Sequence, residues 1–125
     1  MHQLLQALSQ GLTTGLDDLQ SLGEPDAAAP FVYVTAIASD AGLTRSLAGI
    51  TLISREIGFD RDAETTYSGD GASAIYHAQH RQSPVALAVE VCTPRRTVSI
   101  AVSGRDNDET YRLFLEADTR LFGDC

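Results

Sequence analysis

The chain has 125 residues, 17 acidic side chains against nine basic ones, a formal charge of −8, and a hydrophobic share of 43%. Its length predicts one domain, with a core large enough to hold without disulfides. All nine cations are arginine, which excludes Schiff-base, P-loop and kinase-type lysine chemistry, and the acidic balance argues against a nucleic-acid partner, whose phosphates need a basic face.

Tryptophan is absent, so stacking surfaces rely on four tyrosines and four phenylalanines. Cys92 and Cys125 are the only thiols, too few for a CxxC zinc pair or a disulfide framework, and a reducing compartment is expected. Met1-His2-Gln3 lacks the basic start of a leader, and the uncharged run 27–39 is too short to span a bilayer. The expectation is a cytoplasmic protein with no membrane partner.

Within residues 1–23, Leu5, Leu8, Leu12, Leu19 and Leu22 recur at three-four spacing with Gly15 between them, which predicts an amphipathic N-terminal helix. Gly11 and Gly15 weaken it by about 1 kcal/mol each relative to alanine. Residues 24–30, with Pro25 and Pro30, read as a linker to a unit over 31–125. Residues 31–38 alternate aromatic and β-branched side chains, the pattern of a strand.

Residues 39–58 carry two signals. Leu43, Leu47, Ile50 and Ile57 share one helical face, Ser39 or Asp40 is placed to cap the start, and Gly58 to follow the end. Gly49 and the β-branched Ile50, Thr51 and Ile53 favour a strand instead. The helix is adopted here.

Between 62 and 103 the apolar positions alternate in four segments. If Ala78 faces Leu87, then Tyr76 faces Val89 and Ala74 faces Val91; across the next turn Val91 faces Val98, Val89 faces Ile100 and Leu87 faces Val102. A two-residue turn at Gly69-Asp70 would set Thr65 against Ala74 and Ala63 against Tyr76. The final segment opens with Asp106, Asp108 and Glu109 and closes with Arg120 and Gly123, a helix aligned with its dipole. Tyr111, Phe114, Leu115, Leu121 and Phe122 form its expected apolar stripe, with Asp118 at the edge and Arg112–Glu116 and Glu116–Arg120 as outer pairs. The predicted fold is therefore α+β: one antiparallel-rich sheet of about five strands, with N-terminal, central and C-terminal helices packed on one face.

The same alternation places small residues on the other face: Ser73, Ile75, Ala86, Ala88, Ser99 and Ala101. A solvated face would carry longer charged side chains, so this face, with the Leu5 and Leu12 stripe of the first helix, is the expected interface. His77 falls there with Asp62 predicted opposite and Glu90 diagonal, an arrangement that would favour the imidazolium and serve as a weak candidate base. His80, three residues on, points to the other face, so the pair makes a poor metal site, and no metal or cofactor is implied. Cys92 has no histidine in its row to ionise it. Gly69-Asp70-Gly71-Ala72-Ser73-Ala74 matches a dinucleotide pattern but leads into a strand, and 60–71 lacks the glycine and glutamate of a calcium loop. Two functions follow: a non-catalytic module that self-associates or binds a protein through the small face or first helix, or a small-ligand binder or modest enzyme using His77, Asp62 and Glu90.

Overall fold

A computed structural model of the protein describes residues 29–123; the N-terminal helix expected over 1–23 lies outside them. The element order is β1 (Phe31–Ala38), α1 (Leu43–Glu56), β2 (Phe59–Tyr67), β3 (Ser73–His80), β4 (Val85–Cys92), β5 (Thr97–Gly104) and α2 (Asn107–Phe122). The fold is α+β, one five-stranded sheet in the order β1-β5-β4-β3-β2 with every pairing antiparallel. No helix among the described residues is long and apolar enough to cross a membrane.

The alternation in 73–104 produces the pairing it predicts. Ala78↔Leu87, Tyr76↔Val89 and Ala74↔Val91 join β3 to β4, and Leu87↔Val102, Val89↔Ile100 and Val91↔Val98 join β4 to β5. These side chains share one core with Leu47 and Ile50 of α1 and Leu113 and Ala117 of α2. Both described helices therefore cover the same sheet face.

The β2–β3 register differs from expectation by two residues: Tyr67 faces Ala74 and Thr65 faces Tyr76. The turn is longer than two residues because Asp70 folds it back. Its Oδ1 accepts from the Ser68 hydroxyl (2.7 Å) and the Ala72 amide (3.0 Å), and Gly71 takes φ 72°. The Ser68 hydrogen bond, reinforced by the Ala72 amide, holds the Asp70 carboxyl below its ordinary range.

The ambiguous 39–58 segment is helical, because burying Leu47 and Ile50 against the sheet outweighs the strand preference of its β-branched residues. Gly42, rather than Ser39 or Asp40, is the N-cap, and no side chain caps it. The other end is pinned. Gly58 (φ 101°) follows the last turn, where an added Cβ would lie 2.4 Å from His80 Nε2. His80 Nδ1 accepts from the Gln82 amide at 3.2 Å, so Nε2 carries the proton and donates to the Ile57 carbonyl at 3.1 Å.

Helix α2 starts at Asp106, whose carboxylate accepts from the Glu109 amide at 2.9 Å. Its buried residues are Thr110, Leu113 and Ala117; of the predicted stripe Phe114, Leu121 and Phe122 pack half-buried against the core, while Tyr111 and Leu115 stay exposed. Gly104 lets α2 approach β5 closely, because a Cβ there would collide with Thr110 Oγ1. The expected outer pairs are replaced by Arg112–Glu109 (3.5 Å) and Arg120–Glu56 (2.8 Å), the latter tying α2 to α1.

Tyr76 is buried, and its hydroxyl donates to the Phe59 carbonyl at 2.8 Å. Burial raises its pKa above the ordinary 10.0. The unfolded chain then loses this proton first, so the contribution is complete below pH 10 and is lost as pH rises further. Tyr76→Phe is expected to cost about 1–3 kcal/mol at neutral pH by leaving that carbonyl unpaired. It should also flatten the decline of stability above about pH 10, as measured by urea titrations across that range. Gly58→Ala, strained by φ and by His80, should cost at least about 1–3 kcal/mol in the same assay.

Candidate functional site

The strand order leaves β1 and β2 at the two edges. An edge strand exposes a row of unpaired backbone groups, which proteins protect with charges, bulges or irregular backbone. β2 is protected in all three ways. Its register shifts twice, between Phe59 and Arg61 and between Arg61 and Glu64. Asp62 takes φ 52° in this irregular stretch. Asp60 pairs with Arg81 at 2.7 Å, and Arg61 donates to Gln79 Oε1 at 2.7 Å.

β1 has none of these devices. Its eight residues, Phe-Val-Tyr-Val-Thr-Ala-Ile-Ala, carry no charge, and every one is in register with β5. Phe31 is 44% exposed and Val34 60% exposed. The strand is flanked by aromatic side chains of α2. Tyr33 lies 5.1 Å from Tyr111 and 5.6 Å from Phe114 between ring centroids, and its hydroxyl donates to Asn107 Oδ1. Exposed Tyr111 and Leu115 continue this apolar surface beside the edge.

The face named from sequence as an interface lies on the other side of the sheet. Ile75, Ala88 and Ala101 form a second apolar cluster there, separate from the helix-covered core. Ser99 is also buried, while Ser73 and Ala86 are half-buried. Leu5 and Leu12, named with them, lie outside the described residues.

The proposed carboxylate pair around His77 is not assembled as expected. The longer Asp70 turn shifts β2 by two residues, so Glu64 rather than the exposed Asp62 stands opposite His77. The His77 and Glu64 side chains are 3.8 Å apart and 43% and 69% exposed, a solvated pair worth little to stability. Glu90 is buried between Ile75 and Ser99, diagonal to His77. Cys92 is a half-buried free thiol. Among the described residues no three His, Cys, Asp or Glu side chains group to hold a metal ion.

Two features were not legible from spacing. An apolar groove of about 520 Å³ runs between α1 and β2, with Leu52 and Tyr67 on its rim. A polar cleft of about 540 Å³ lies between α1, α2 and the β3–β4 turn and brings His80, Ser83 and Glu109 together. This looks like a nucleophile with a base, but the bonding rules that out. Ser83 donates to Glu109, not to an imidazole, and both His80 nitrogens are engaged by backbone. Sequence alone cannot reveal the cleft, since its parts lie far apart along the chain.

The chain matches no known family model, and neither a curated protein nor a solved structure matches it. Its function must be argued from geometry. For the His77 site, His77→Ala and Glu64→Gln should each shift unfolding stability by less than about 0.5 kcal/mol, a size measurable by urea denaturation.

Proposed function

We propose that the protein is a small acidic non-catalytic interaction module that self-associates by pairing β1 with β1 of a second copy. The observation that carries this reading is the contrast between the edges: β2 is bulged and charged, whereas β1 is regular, uncharged and exposed at Phe31 and Val34. A chain with a formal charge of −8 resists meeting its own copy, so contact is cheapest where no charge is desolvated. An antiparallel β1–β1 junction meets that condition and joins two five-stranded sheets into one.

Helix α2 supports the same contact. A two-fold axis beside β1 brings Tyr111 and Leu115 of one copy towards those of the other, which adds apolar burial to the backbone hydrogen bonds. In this reading residues 2–22 form a third, N-terminal helix. The half-buried thiol Cys92 fits a reducing, cytoplasmic setting.

The protein should sediment at about twice its 13.4 kDa chain mass at tens of micromolar. Val34→Lys, which sets a charge on the edge, should give a folded monomer by analytical ultracentrifugation, while Leu52→Lys in the α1–β2 groove should leave the dimer intact. A chain monomeric at every concentration, or a dimer broken by Leu52→Lys alone, would rule out the β1 junction.

A further inference from the structure

The small-residue face is buried although neither described helix lies on it. Ile75 is 6% exposed, Ala88 8% and Ala101 1%, values that a bare sheet face does not give to a large side chain such as Ile75. Helices α1 and α2 contribute Leu47, Ile50, Leu113 and Ala117 to the opposite cluster and nothing to this one. Glu90 and Ser99, in the same rows, are buried too.

We propose that residues 2–22 of the same chain seat on this face as an amphipathic helix, making the sheet the middle layer of three. That segment carries the leucines Leu5, Leu8, Leu12, Leu19 and Leu22 at helical spacing, the apolar stripe such a cover needs. The face offers its complement: Ala86, Ala88, Ser99 and Ala101 are short, so a helix can approach the strands closely while its leucines fill the space above them.

The lengths agree. A 21-residue helix is about 31 Å long, and the eight-residue β4 and β5 are about 26 Å long. The described chain begins beside β1, whose first residue Phe31 pairs with Gly104 at the end of β5. The centre of the face, β4, lies two strands from β1 in the sheet order, roughly 10 Å away. Residues 23–30 span up to about 26 Å when extended, enough to carry the chain from the end of β1 onto the face. An intramolecular partner held by so short a linker is present at a high effective concentration, which favours this occupant over a second copy.

A single thiol on the face tests the proposal in the full-length chain. Ala88→Cys is made with Cys92→Ser and Cys125→Ser, and the reagent is a soluble aromatic disulfide. The thiol at 88 should react at least about 10-fold more slowly than one at 52 (Leu52→Cys, same background), where the side chain is 62% exposed. Adding Leu8→Asp and Leu12→Asp should bring the two rates together while circular dichroism still reports the folded sheet. If Ala88→Cys does not fold, Ala86→Cys replaces it.

Protection should persist at every protein concentration, so it is separable from dimerisation through β1. Protection unchanged by the leucine substitutions, or lost on dilution because a second copy supplies the cover, would overturn the assignment.

Discussion

The row in which Tyr76, Val89 and Ile100 stand side by side is the constraint on which the remaining architecture depends. Side chains alternate along a strand with a period of two, so one such row assigns every neighbouring residue to a face. Slipping any one strand by one position would turn its core residues to the small-residue face and its alanines and serines into the core. Because Tyr76, Val89 and Ile100 are essentially inaccessible, that slip would forfeit the centre of the core. The register is held by hydrophobic burial, and the turns accommodate it.

Two glycines allow the helices to close on this face. Gly58 admits the His80 ring, which ties the end of α1 to the end of β3 through the Ile57 carbonyl. Gly104 admits Thr110, whose hydroxyl donates back to the Asp106 carbonyl at 2.6 Å. Each helix thus meets the sheet through a missing side chain at one end. Residues that resemble catalytic groups serve these joints. His80 is a bracket between elements, and Ser83 and Glu109 bind the β3–β4 turn to the first turn of α2.

The two edges of the sheet differ because of their places in the chain. β2 follows α1 directly through Gly58 and carries two register shifts between Phe59 and Glu64. That irregularity makes it a poor template for another strand. β1 enters from a proline-rich linker and pairs with β5 along its full length, with nothing in its sequence to discourage a further partner.

Most of the sheet was legible in the amino-acid order, because alternation at 73–78, 85–91 and 98–102 leaves only one pairing that keeps the apolar residues together. The capping of α2 by Asp106 was equally local, depending on a carboxylate and an amide three residues apart. Other features depend on partners distant in sequence. The helical state of 43–56 is decided by the sheet beneath it, and the burial of Thr110 by a close approach at Gly104. The displacement of Asp62 from His77 follows from the longer Asp70 turn. The sequence by itself determined which residues share a face, since that is a matter of backbone periodicity. Only the tertiary structure decided which helices cover the Tyr76 face and which strands lie at the ends of the sheet, since both depend on packing between segments whose separation no local pattern encodes.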